Sequence, residues 1–237
     1  MQKICYASLL ASLMLILLTI PSTAKAQEME DYNFTVEQFS ILKIQDNVNV
    51  VYHCSQDSVA HVSYHSDPDF ENAFIFTNSG ETLKIQVTTE DVGKPGLPTI
   101  HVYSHFLSKV ENYSDFNVQV IDPAPAPQFS ASLIGNGSIS VSGINSTKVT
   151  ARITAGMGTI ILSGKCTDAE YRMMGTGNID ADTLQADNVV CKILGGGSIS
   201  CAPIQYLKVH GIGSTRVFYT GSPTIKHSGG GKLIKAD

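Results

Sequence analysis

Gly-x-Gly pairs begin at Gly135, Gly156, Gly175, Gly195, Gly211 and Gly229, at intervals of 21, 19, 20, 16 and 18 residues. Seventeen of the twenty glycines lie between Gly135 and Gly231. An interval near 20 that keeps returning signals a stacked repeat, in which each unit buries its apolar side on its neighbours. Aligned on the first glycine, "LIGNGSISVSG", "TAGMGTIILSG", "MMGTGNIDAD" and "ILGGGSISCA" place Ile139, Ile160, Ile179 and Ile199 four residues on, with Thr215 and Leu233 in the two later copies. Six residues on stand Val141, Leu162, Ala181, Cys201, Val217 and Lys235. Between them come Ser140, Ile161, Asp180, Ser200, Arg216 and Ile234. This period of two is a strand pattern, and an apolar column at fixed phase describes one interior face repeated rung after rung. Glycines just ahead of each strand fit a sharp corner that needs positive φ or close backbone approach. The expected fold is therefore all-β: a right-handed parallel β-helix-like solenoid with rungs of about 20 residues, preceded by aromatic-rich β-strands.

The same alignment removes most enzyme motifs. Dinucleotide binding needs G-x-G-x-x-G leading into a helix; here the sixth position is Ser140, Ile161, Asp180, Ser200 or Arg216, and a strand follows. In "GKCT" (164–167), Cys166 stands where a phosphate loop needs Ser or Thr. A calcium β-roll would want aspartate at Ile179; Asp180, Asp182 and Asp187 read instead as solvated loop acids. Polysaccharide-cleaving β-helices need clustered acids on one face, and the outward Ser140, Asp180, Ser200 and Arg216 do not supply them. Of seven histidines, His53, His61, His65, His101 and His105 lie in the first half. His61/His65 and His101/His105 are four apart on strands, so each pair shares a face without touching. No catalytic, cofactor-binding or metal-ligating residue is expected, and the chain reads as a non-enzyme. Cys54, Cys166, Cys191 and Cys201 show no CxxC or CxxH spacing. Cys201 shares an inward column with Val141 and Leu162, and Cys191 is in phase with Val189 and Ile193. Both are expected as small core residues, with a Cys191–Cys201 disulfide left open.

The first half differs in composition. Thirteen of eighteen aromatics lie from Tyr32 to Phe129, in alternating segments such as "ILKIQDNVNVVY", "AFIFTN" and "TLKIQVTT". "NSGET" marks a hairpin-type turn. "NVNV" (47–50) and "NVQV" (117–120) both match "SISV" (138–141), so this half is expected to carry degenerate rungs of the same solenoid. "DPAPAPQ" (122–128) is expected to stay out of any central ladder; it is either a boundary or a bulging loop. The closing "GGGKLIKAD" reads as an edge strand blunted by charge, or a dimer contact.

Ahead of all this, Lys3, an apolar run over about 7–20, Pro21 and "AKA" at 24–26 form an export leader cut after Ala26. The leader holds two of the 16 lysines and arginines, leaving 14 against 21 acids, with no basic stripe for nucleic acid. With no tryptophan, any carbohydrate platform would rest on tyrosine. The "DSV" (57–59) and "DTL" (182–184) triplets match an Asp-Ser/Thr-aliphatic O-glycosylation pattern.

The strands "FSILKIQDNVNVVYH" and "TLKIQV", then "LSKVENYSDFNVQV", then the glycine rungs from "LIGNGSISVSG" on, give the chain a resemblance to the head GIN domain family of auto-transporter adhesins, exported proteins of Gram-negative bacteria. The resemblance covers roughly 39–221. It implies a β-helix-like fold on an exported protein and carries over no catalytic residue. Asp46 and Asp115 replace the first-strand glycine of many relatives. The expected organisation is a leader (1–26), a lead-in (27–38), a head GIN-like solenoid (39–221, its aromatic part 39–121 and its rung part 129–221) and a C-terminal edge strand or cap (222–237). The expected role is an adhesin-like or cell-envelope interaction module in the periplasm or at the cell surface. Its candidate partners are a surface glycan or an envelope or host protein, with homo-oligomerisation open. The alternative is a carbohydrate-binding or polysaccharide-cleaving β-helix.

Overall fold

The computed structural model describes residues 29–56 and 59–236. The expected leader and the Asp57–Ser58 step lie outside the described residues. The strands are β1 (Glu30–Thr35), β2 (Ile41–Ile44), β3 (Val50–Cys54), β4 (His61–Ser66), β5 (Phe74–Ser79), β6 (Thr82–Val87), β7 (Ile100–Ser104), β8 (Lys109–Asn112) and β9 (Asn117–Ile121). They continue as β10 (Ala126–Ile134), β11 (Ser138–Ala155), β12 (Thr159–Gly175), β13 (Asn178–Gly195), β14 (Ser198–Ile212), β15 (Arg216–Tyr219), β16 (Thr224–Gly229) and β17 (Lys232–Lys235). One 3-10 turn at Pro68–Phe70 completes the described elements.

These strands stack into two parallel ladders wound by one chain. The first runs β6, β2, β8, β10, the C-terminal halves of β11 to β14, and β16. The second runs β7, β3, β9, the N-terminal halves of β11 to β14, then β15 and β17. The chain is a β-solenoid with rungs about 20 residues apart. The aromatic strands close one end: β5 pairs antiparallel with β6, β4 with β7, and β1 with β4. An antiparallel cap leaves that end without an open parallel edge. The expected hairpin falls at Gly80–Glu81, where Ser79 faces Thr82 and Gly80 adopts φ +56°.

Alternation puts every second side chain inside, and one hydrophobic cluster runs through both halves. Its spine is Val118, Ile139, Ile160, Ile179, Ile199, Val217 and Leu233, each paired with the next. This corrects the alignment of the fifth rung. Gly213, not Gly211, lies against Gly195, so Val217 takes the place expected for Thr215 and Tyr219 that expected for Val217. The β14 strand runs two residues further before it turns, which the glycine spacing alone disguises. "NVNV" is likewise two residues out: Val50, rather than Val48, pairs with Val118. A shift of two keeps the same face inward, so the degenerate rung is real although its register differs. The proline-rich segment also departs from expectation. Ala126 and Gln128 pair with β11, while β8 joins β10 only from Ser130. Pro127 therefore sits where the strand has a partner on one side alone, the position a residue without N–H tolerates.

The corners replace glycine by side chains in the early rungs. Asn47 Oδ1 accepts the Asp115 N–H (2.9 Å), Asp115 Oδ1 accepts that of Asn136 (2.9 Å), and Asn136 Oδ1 that of Met157 (3.2 Å). Further along, backbone carbonyls take over, as where Gly175 C=O accepts from the Gly196 N–H at 3.1 Å. Asp46, the other glycine replacement, accepts the Val87 N–H at 3.1 Å.

Cys191 and Cys201 are buried as free thiols, as the column phase predicts. A hydrogen bond to Cys201, together with burial, pushes the Cys191 thiol well above its usual value. Burial, with Asp168 and Asp187 nearby, pushes Cys166 up to about 12. Only the thiolate is nucleophilic, so alkylation of Cys166 by iodoacetamide at pH 8 should be at least ~100-fold slower in native than in urea-unfolded protein. Peptide mass spectrometry reads this directly, and comparable native labelling would contradict the environment described.

Candidate ligand-contact face

The outer side of the first ladder carries an unusual combination of side chains on its last rungs. Inward Met173, Ile193 and Gly211 are each flanked by two outward residues: Arg172 and Met174, Lys192 and Leu194, His210 and Ile212. The strict register aligns these into columns. Met174 pairs with Leu194 and Leu194 with Ile212; Arg172 pairs with Lys192, Lys192 with His210, and His210 with Ser228. Met174, Leu194 and Ile212 are 54%, 53% and 56% exposed. Outward apolar residues in register gain only about 0.2–1 kcal/mol per pair from cross-strand contact, and three half-exposed ones in succession form a contiguous apolar ridge of the kind that marks contact surfaces.

An open groove of about 570 Å³ runs between this ridge and the cationic column, and reaches Lys208 and Lys226. Columns two residues apart on a strand stand about 6.6 Å apart, and successive rungs about 4.8 Å. One wall is therefore the apolar ridge. The other is the aliphatic stems of Arg172 and Lys192, whose charged heads reach outward.

Charge along the groove is uneven. Glu170 Oε1 takes Arg172 Nη2 at 2.7 Å and Lys192 Nζ at 2.8 Å. Burial pushes the Glu170 carboxyl up, but the bonds from Lys192 and Arg172 outweigh it and hold the group below its usual value. Lys208 and Lys226, paired in register beyond Val190, are exposed and have no acidic partner among the described residues. Arg172 and Lys192 thus share one carboxylate, whereas Lys208 and Lys226 form no ion pair among the described residues.

The remaining singled-out residues are differently placed. Ser140, Asp180 and Ser200 share one outward column with Ile161 and Phe218, while Arg216 falls in the next, against Ser198. Asp180 is pushed up by burial and by Asp182; Asp187 lies apart from them, beside Cys166. The Thr183 hydroxyl donates to Leu162 C=O at 3.3 Å. The histidines meet across strands rather than along them. His53 Nε2 lies 3.1 Å from His101 Nδ1, and Tyr103 stacks between His53 (4.8 Å) and His61 (4.4 Å). Burial, then His101, lowers the His53 pKa. Tyr103 thus lies sandwiched between two imidazoles.

The ridge had a signal in the sequence. "MMG", "ILG" and "GIG" each set an apolar residue directly before the corner glycine, out of phase with the inward column.

The chain matches, over residues 38–223, the family described as "Putative auto-transporter adhesin, head GIN domain". Three solved structures share the architecture. A "putative adhesin" from Bacteroides fragilis NCTC 9343 is 19% identical, with 89% of this chain and 98% of that one covered and a TM-score of 0.79. A "putative lipid binding protein" from Parabacteroides distasonis ATCC 8503 is 19% identical over 90% and 98%, at 0.69. A "putative adhesin" from Parabacteroides merdae ATCC 43184 is 19% identical over 90% and 98%, at 0.66. At these identities the likeness concerns the fold. No curated protein matches the chain.

Proposed function

From the premise that the chain belongs to the head GIN domain family, we propose that it is an exported, non-enzymatic adhesin-like module of the cell envelope, and that it makes contact through the ridge of Met174, Leu194 and Ile212. The observation that carries this reading is the ridge itself: three half-exposed apolar side chains held on consecutive rungs beside a cationic column. Export is supported by the leader pattern over 1–26. The non-enzymatic reading is supported by the outward column of Ser140, Ile161, Asp180 and Ser200, which holds a single acid, with Arg216 set in the next column. A rigid ladder suits adhesion because its contact residues are ordered before binding, which lowers the entropy cost of association.

The test is adhesion of beads coated with residues 27–237 to glycan, host-matrix and envelope-extract surfaces. The wild type should adhere saturably to at least one surface. Leu194→Ser/Ile212→Ser should reduce retention at least ~10-fold, which corresponds to about 1.4 kcal/mol. Both positions are more than half exposed, so thermal stability should stay near that of the wild type. Adhesion that survives the double substitution would move the contact surface elsewhere.

A further inference from the structure

We propose that the groove between the ridge and the cationic column binds a single long-chain carboxylate, its acyl chain lying along the groove and its carboxylate on Lys208 and Lys226. The inference rests on the reading of this face as the contact surface and adds the ligand's chemistry.

Three features of the groove select this ligand. The first is its shape. It is an open channel of about 570 Å³ parallel to the solenoid axis, with a side-chain column along each side. Its floor is the strand backbone at Met173, Ile193 and Gly211, whose inward side leaves the outer surface to the two columns. The second is its lining. Met174, Leu194 and Ile212 offer one apolar wall; Met is deformable and can close on a flexible chain. The stems of Arg172 and Lys192 offer the other, so both sides of the chain leave water.

The third is charge. Arg172 and Lys192 share one carboxylate and keep one net positive charge between them, against two for the unpaired Lys208 and Lys226. Lys208 and Lys226 are neighbours in register, form no ion pair among the described residues although Lys208 shares a hollow with Asp168 and Glu170, and are joined by His210 on the adjoining column. A chain with its anionic end there would satisfy both lysines while its tail runs back over Ile212, Leu194 and Met174. The ligand class is thus set by two adjacent features of opposite kind, one apolar and one cationic. A neutral glycan would meet neither demand. An extended membrane surface would meet the lysines, but a flat bilayer cannot enter a channel between side-chain columns.

The experiment uses cis-parinarate, a fluorescent long-chain carboxylate, below its aggregation limit, titrated into residues 27–237. The chain has no tryptophan, so probe emission is read without energy transfer from indole. Saturable enhancement near one probe per chain is expected. Leu194→Ser/Ile212→Ser should weaken binding at least ~10-fold for both parinarate and the matching alcohol, parinaryl alcohol. Lys208→Gln/Lys226→Gln should weaken parinarate ~10-fold and the alcohol less than twofold, and should flatten the salt dependence. Circular dichroism and thermal melts of each variant verify that the solenoid is intact.

No saturable binding of parinarate overturns the proposal, as does binding that neither pair of substitutions weakens. Capture of phosphatidylglycerol vesicles without binding of monomeric parinarate also overturns it, in favour of a membrane surface. Loss of bead adhesion in the ridge variants, with no parinarate binding by the wild type, would retain the contact face and remove only the carboxylate. Parinarate binding with adhesion that ignores the ridge would do the reverse.

Discussion

Gly195→Ala and Gly197→Ala are each expected to destabilise the solenoid by roughly 3–5 kcal/mol, while Gly196→Ala between them changes stability by less than about 1 kcal/mol. The three residues form one corner and differ in backbone conformation and in surroundings. Gly195 has φ +144°, and a Cβ there would collide with the Gly175 carbonyl oxygen of the rung beneath. Gly197 needs no unusual φ, but its Cβ would drive into the Gly177 carbonyl oxygen and into Met173 Sδ and Cε, at 2.6 and 2.7 Å. Backbone cannot retreat without breaking the ladder, and Met173 is fully buried. At Gly196 the nearest atom is Thr176 Cγ2 at 3.7 Å, an ordinary contact, and alanine there loses less chain entropy on folding than glycine. At about 2–4 °C per kcal/mol for a chain of this size, the first two variants should melt roughly 10 °C lower. Because stacked rungs couple to their neighbours, cleavage by protease should rise first beyond Gly195. Near-wild-type melting of either variant would show that the corners do not require glycine for close approach.

The same corner logic explains how much of the fold could be seen in the sequence. Rungs from Gly135 to Gly197 were legible because glycine, alternation and spacing agree there: Ile139, Ile160, Ile179 and Ile199 are one physical column. The register slipped where two signals compete. At Gly211–Gly213 it is the second glycine of the pair, not the first, that stands on Gly195, and only the stacking tells which one turns the chain. Around Asn47 no glycine exists, and the corner is held by side-chain oxygens instead, so short strand matches could not fix the register. The order of the first rungs was hidden altogether. β2 and β3 lie between β6/β7 and β8/β9, a doubling back that depends on long-range pairing rather than on local pattern. The contact face was partly legible. Its apolar residues break the alternation visibly, but their meeting with Lys208 and Lys226 depends on a register that only the stacked ladder supplies.

Asn112 is where this side-chain solution carries the greatest energetic consequence. It lies at the end of β8, fully buried, in a column whose neighbours on either side are Ile44 and Leu133. By column alone it ought to be apolar. Instead its Nδ2 donates to Phe116 C=O at 2.9 Å and to Ser138 C=O at 3.1 Å, while its Oδ1 accepts from the Ser114 N–H at 3.0 Å and the Ser114 hydroxyl at 2.7 Å. One amide thus organises a corner that has no glycine and ties it to the next rung. Asn112→Leu would match the column and add apolar area, yet is expected to cost about 3–5 kcal/mol, because it strands several buried polar groups at roughly 1–3 kcal/mol each. Asn112→Asp keeps the two acceptor contacts and sets a carboxylate against two carbonyl oxygens. Burial and those oxygens would raise its folded pKa above the unfolded value of about 3.9. A group raised on folding favours the folded state below its unfolded pKa, and loses that contribution as pH rises through the folded one. The deficit of Asn112→Asp against wild type should therefore be widest near pH 7 and shrink toward pH 4, whereas that of Asn112→Leu stays constant with pH. Urea unfolding at both pH values separates the two, and a leucine variant within about 1 kcal/mol of wild type would mean that the corner holds without its amide.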